Sequence, residues 1–226
     1  MTATPTVATT SSHLQNIESK LADIELEPGY TIPPIALPTQ IPLKGETLPP
    51  FITDGLHPSV AEAHQETRNW VAAILKKQPP YWLTLFGPSG CGKTFLARHA
   101  RSHLRNKQRD CQLRNWAKAF DRLCDWDSDL MPHLCRLPIL ILDDIGTGYT
   151  MSDKTAELHS SKLYEILESR TRKFTLITTN LSPQQLRERL DARIASRLFR
   201  GENQIVDLTK ADDYSYLQHL KKRNKP

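Results

Sequence analysis

From residue 57 onward, short apolar runs alternate with longer segments whose apolar residues recur every three or four positions. "HPSVAEAHQETRNWVAAILKK" (57–77) predicts a helix with Ser59 as its N-cap, and "YWLTLF" (81–86) a short apolar strand. "TFLARHARSHLRNKQ" (94–108) reads as a second helix. "CQLRNW" opens on a brief strand and passes into the helical "AKAFDRLCDW". "LPILILDD" (137–144) is apolar without alternation, the mark of a strand covered on both faces. "KTAELHSSKLYEILESRTRK" is a long helix, "FTLITTN" (174–180) a fourth strand, and "SPQQLRERL" a helix start with Ser182 as N-cap and Pro183 at N1. In "RIASR" beyond it, Arg193 and Arg197 are four apart, so on a helix they would share a face. "NQIVDL" predicts the last strand and "ADDYSYLQHLKK" the last helix. Five strands alternating with helices predict a three-layer α/β/α sandwich around a mostly parallel sheet.

Upstream the pattern differs. Eight of the 16 prolines lie in residues 1–56, and "EPGYTIPPIALPTQIPLKGETLPP" cannot hold a helix because proline lacks an N–H and fixes φ. Before it, Leu14, Ile17, Leu21 and Ile24 make one apolar stripe, and Ser12 with Gln15 fits a capping box. The expected organisation is an arm, residues 1–56, with one short helix at about 12–25 and a proline-rich linker, followed by a domain at 57–226. The arm's helix has no core of its own, so it packs on the body or docks in a partner's groove.

Charge sharpens this division. The arm carries two lysines against six carboxylates, a net charge of −4, so the +5 chain has +9 on its body and suits an anionic partner. Cys91, Cys111, Cys124 and Cys135 form no CxxC pair, which argues against a zinc or disulfide framework and fits idle thiols in a reducing cytoplasm. No apolar run approaches the roughly 20 residues of a membrane span, and "MTATPTVATTSS" lacks the features of a secretory signal.

The candidate chemistry begins at "GPSGCGKT". Gly87, Pro88, Ser89, Gly90, Cys91, Gly92, Lys93 and Thr94 fit GxxxxGK[ST] between a strand and a helix, the context a phosphate-binding P-loop requires. Its glycines bring backbone N–H groups close to phosphates, and the helix adds its positive end. Lys93 reaches the β- and γ-phosphates and the Thr94 hydroxyl holds Mg²⁺. Asp143 and Asp144 end a buried strand, where a loop can hold carboxylates at the sheet's carboxyl edge as the further anionic ligand the metal needs. Asn180 ends the next strand and can meet the γ-phosphate or the attacking water.

These features, followed by "TNLSPQQLRERLDARIASRL", resemble AAA+ ATPases of the DnaC-type helicase-loader and IstB-type transposition-helper families over roughly residues 57–210. The resemblance implies ATP and Mg²⁺ as cofactors. It implies Lys93 and Thr94 as Walker A, Asp143 as the Walker B metal ligand, Asp144 where a water-orienting glutamate is usual, and Asn180 as sensor 1. Aspartate is one methylene shorter than glutamate, so slow hydrolysis is expected. It further implies a catalytic arginine finger acting on a neighbouring subunit, Arg197 or else Arg193; the competing reading pairs these arginines with Glu188 and Asp191. Only 29 residues follow Arg197, too few for the multi-helix lid of initiators, so no C-terminal lid domain is expected.

Arg98, Arg101 and Arg105, with Lys118 beyond, make a basic stripe interleaved with Trp116 and Phe120. It reads either as a groove for single-stranded DNA with aromatic platforms or as a solvated face over two core aromatics. The implied partners are the chain itself in an ATP-dependent oligomer, single-stranded DNA, and a replicative helicase or a transposase. Two other classes share the P-loop: a small-molecule kinase, which needs an acceptor pocket, and a nucleotide switch without turnover, which Asp144 permits.

Overall fold

The computed structural model describes Phe51 and residues 56–125, 129–146 and 153–214. The expected arm helix and linker, and most of the expected last helix, lie outside the described residues. Phe51 belongs to the arm by composition, yet its ring stacks on Tyr214 at 4.7 Å between centroids and on Phe95 at 5.7 Å.

The described elements run α1 (Pro58–Lys76), β1 (Trp82–Phe86), α2 (Lys93–Asn106), β2 (Cys111–Asn115), α3 (Trp116–Cys124), α4 (Leu130–Arg136), β3 (Ile139–Ile145), α5 (Asp153–Ser169), β4 (Phe174–Thr179), α6 (Pro183–Arg189), α7 (Ala192–Leu198) and β5 (Gln204–Asp207). The five strands form one sheet in the order β2-β3-β4-β1-β5, and every neighbouring pair is parallel. All carboxyl ends therefore share one edge, where a polar loop after each strand can contribute to a single site.

Two differences from the predicted elements have local causes. The N-cap of α1 is His57, whose Nδ1 accepts the Ser59 N–H at 3.3 Å; Pro58 at N1 brings the helix start forward. Helix α4 has no counterpart among the predicted elements. Pro132 obscured it, but in the first turn proline removes no intrahelical bond, and Leu130 and Leu134 then bury together.

The sheet divides two apolar layers. One contains Trp70, Leu83, Leu85, Leu96, Leu104 and Ile141 with helices α1 and α2; the other contains Trp82, Leu140, Leu142, Leu163, Ile177 and Leu198 with the remaining helices. Successive side chains of β3 enter opposite layers, which is why its sequence does not alternate. The architecture is thus the expected three-layer α/β/α sandwich, with a sheet that is parallel throughout.

Polar groups tie the second layer together. Arg170 is fully buried with no carboxylate partner among the described residues, and donates to the backbone oxygens of Leu134, Leu137 and Phe174 and to Thr175 Oγ1 at 2.8–2.9 Å. Trp116 and Phe120 are also core residues. The indole N–H of Trp116 donates to His159 Nε2 at 2.5 Å, and the Phe120 ring packs on the same imidazole. This removes them as stacking platforms for nucleic acid and corrects that part of the basic-stripe reading.

Burial pulls the His159 pKa down to about 4 from 6.5, and a protonated ring could not accept from Trp116. The unfolded chain takes up this proton at a higher pH than the native chain does. His159 therefore contributes stability that is complete above about pH 6.5 and lost as pH falls toward 4. We expect the urea midpoint to decline through that window, and to decline less steeply in a His159→Gln variant followed by the same fluorescence titration.

Candidate functional site

The carboxyl edge of β1 turns into the glycine-rich loop. Gly90 has φ +83, and a Cβ there would fall 2.6 Å from the Asp213 carboxyl carbon, so only glycine allows both the turn and this approach. Gly92, also in the left-handed region, is the N-cap of α2. Lys93 follows at once, so its side chain folds back across the loop. Its ammonium donates to the carbonyls of Gly87 at 2.7 Å and Pro88 at 2.6 Å and lies 3.5 Å from Cys91 Sγ. Burial lowers the Lys93 pKa; Cys91, Asp144 and Asp143 act in the opposite direction. Pro88 and Ser89 are exposed at the loop's tip, while Cys91 is buried beneath it.

Beside the loop, Thr94 donates its hydroxyl proton to Asp143 Oδ1 at 3.0 Å. Asp143 is 5% exposed, and the same oxygen accepts from Thr178 at 2.6 Å. Asp144 lies half-buried at φ +66, unusual for a residue with a side chain. Its N–H donates to Thr178 Oγ1 at 2.8 Å, and its Oδ1 accepts from Asn180 Nδ2 at 3.3 Å. The structure thus gathers Lys93, Thr94, Asp143, Asp144 and Asn180 at one sheet edge. A hydroxyl and a carboxylate oxygen side by side at the helix start are hard donors that fit Mg²⁺.

Sequence reasoning missed three participants. Thr178 sits in the "LITTN" segment, and a hydroxyl two residues before a strand-end asparagine was its only signal. Asp213 reaches Gly90 from after the last strand, and the Tyr214 N–H donates to the Gly90 carbonyl at 2.8 Å. Nothing local in the sequence announces either contact.

The arginines lie elsewhere. Arg193 is exposed and forks onto Asp191, with Nη2 2.8 Å from Oδ2, and lies over the Tyr164 ring at 4.6 Å. This half of the surface-pairing alternative holds. Glu188 instead accepts from Gln184, and Arg197 forms its ion pair with Glu168 on α5. Arg197, Arg200 and Arg172 line a cavity of about 420 Å³ with Tyr81 and Trp82. Tyr81 and Arg172 precede β1 and β4, so this cavity lies at the amino edge of the sheet, opposite the loop. Arg197 therefore does not serve the chain's own phosphate loop. Arg98 and Lys118 are exposed, and Arg101 and Arg105 half-buried.

Fold and site define a P-loop nucleotide-binding protein of the α/β/α class. Residues 83–202 match the ATPase family associated with various cellular activities (AAA), and the chain belongs to that family of ATPases. Solved structures share the fold. The DnaC helicase loader superposes with a TM-score of 0.56 at 24% identity, over 72% of this chain and 94% of that one. DnaI superposes at 0.54 and 21% identity, over 66% and 83%. AMPPCP-bound DnaA from Aquifex aeolicus does so at 0.59 and 15%, over 78% and 55%. No curated protein sequence matches the chain. Among the described residues, no helix is long and apolar enough to cross a membrane.

Lys93 supplies the loop's cation. We expect Lys93→Ala to weaken ATP binding by about 10- to 100-fold, the worth of one or two charged hydrogen bonds. Calorimetric titration measures this, and an unchanged melting temperature without nucleotide shows that the fold persists.

Proposed function

We propose that this chain is a Mg²⁺-dependent ATPase that assembles on single-stranded DNA and acts as a helicase loader in DNA replication. The observation that carries the hydrolytic part is the convergence of Lys93, Thr94, Asp143, Asp144 and Asn180 at the carboxyl edge. Lys93 and the loop N–H groups bind the β- and γ-phosphates. Thr94 and Asp143 hold the metal, which when bound neutralises charge on the phosphates. Asp144 orients the attacking water and takes its proton. Asn180 holds the Asp144 carboxylate and marks the γ-phosphate end of the site. The short Asp144 side chain favours slow turnover that rises on assembly.

The loader role is supported by the superposition on a DnaC helicase loader over 94% of that chain. DNA contacts are assigned to Arg98, Arg101, Arg105 and Lys118. Because Trp116 and Phe120 are buried, these contacts are to phosphates rather than stacked bases. In this reading a replicative helicase is the delivered partner. An IstB-type role in transposition would instead show itself as a preference for duplex over single-stranded DNA and as capture of a transposase.

Two experiments test the assembly. Arg197 is the finger assigned to a neighbour's ATP, with Arg193 as the alternative. Lys93→Ala and Arg197→Ala should each be nearly inactive, since a finger is worth on the order of 10³-fold or more. Mixed, they should regain activity at interfaces pairing an intact loop with an intact finger; rates that merely add would show that Arg197 does not act in trans. Arg193→Ala run in parallel decides between the two arginines. For DNA, Arg101→Glu with Arg105→Glu should weaken single-strand binding and reduce the salt slope by about 1.4, or roughly 0.7 per lost phosphate contact.

A further inference from the structure

The end of β3 does not keep register with β4. Leu142 pairs with Ile177 and Ile145 with Thr179, so Asp143 and Asp144 together oppose the single residue Thr178. This is a β-bulge: two residues on one strand face one on its partner, and the extra residue adopts a backbone the regular ladder does not allow. Asp144, at φ +66, is that residue.

Thr178 is 1% exposed and closes the bulge with one hydroxyl. It donates to Asp143 Oδ1 at 2.6 Å and accepts from the Asp144 N–H at 2.8 Å. Each bond constrains a different carboxylate. The first holds the Asp143 carboxylate in the rotamer that also receives Thr94. The second holds the left-handed backbone from which Asp144 reaches Asn180. The flanking Thr179 is engaged otherwise, its hydroxyl donating to the Ile145 carbonyl at 2.6 Å.

We propose that Thr178 is a positioning residue that couples the metal-side carboxylate Asp143 to the water-side carboxylate Asp144 through its single hydroxyl. A valine has the same shape but can neither donate nor accept, so it frees both carboxylates without opening a cavity. A serine keeps the hydroxyl. The Asp144 half of the proposal rests on the hydrolytic reading; the Asp143 half requires only that Mg²⁺ bind beside Thr94.

The test compares the full-length chain with its Thr178→Val and Thr178→Ser variants. ADP affinity is measured in Mg²⁺ and in EDTA, and ATP turnover at saturating substrate. The wild type should bind ADP more tightly with Mg²⁺ than in EDTA. Thr178→Val should cut that ratio about tenfold, the worth of one charged hydrogen bond, with affinity in EDTA unchanged, and should lower kcat at least as much. Thr178→Ser should restore both. A valine variant that keeps the wild-type ratio and kcat overturns the proposal. So does one that loses affinity in EDTA and Mg²⁺ alike, since Thr178 is then only structural, and so does a wild-type ratio near one. A wild type that shows the Mg²⁺ ratio but no turnover sinks the hydrolytic reading alone, and the ratio still decides the role of Thr178 toward Asp143.

Discussion

The site depends on one carboxylate oxygen. Asp143 Oδ1 accepts from Thr94 at the start of α2 and from Thr178 at the end of β4, so a buried charge on β3 joins three elements. A buried carboxylate is stable only when hydrogen-bonded, and these two hydroxyls meet that need. The parallel sheet makes the meeting possible, because it delivers the ends of β1, β3 and β4 to the same edge. Through Thr178 the same anchor is linked to Asp144, and through Asp144 to Asn180.

The opposite edge has different chemistry. Arg172, Arg197 and Arg200 surround a cavity at the amino ends of β1 and β4, a strand length of about 17 Å from the loop. The glycine-rich loop and this arginine cluster therefore occupy opposite edges of the one sheet. The ion pair of Arg197 with Glu168 and the fork of Arg193 onto Asp191 hold both side chains on α7 near Tyr164.

Most of the fold was legible because its signals are local. Strand burial showed in the non-alternating apolar run that forms β3, and Ser182 as N-cap with Pro183 at N1 marked the start of α6. Helix α4 was not legible, because Pro132 reads as a breaker unless its place in the first turn is known. The basic stripe was legible as charge, but the aromatics between its arginines could not be assigned to core or groove. Only the packing of α3 against α5, through the Trp116–His159 bond, settled that.

The sequence by itself determined the α/β/α class, the glycine-rich loop and five of the polar residues gathered beside it, Lys93, Thr94, Asp143, Asp144 and Asn180. Each of these is encoded in residue spacing along one element or across one turn. Tertiary structure alone decided how the partners meet. That Asp144 is a bulge residue with a left-handed backbone follows from the register of β3 against β4, and that Thr178 joins both carboxylates follows from the same slip. That Asp213 and Tyr214 close on Gly90, and that Arg197 pairs with Glu168 rather than Glu188 or Asp191, are contacts between segments far apart in the chain. Such contacts follow from packing, for which residue order along the chain holds no local signal.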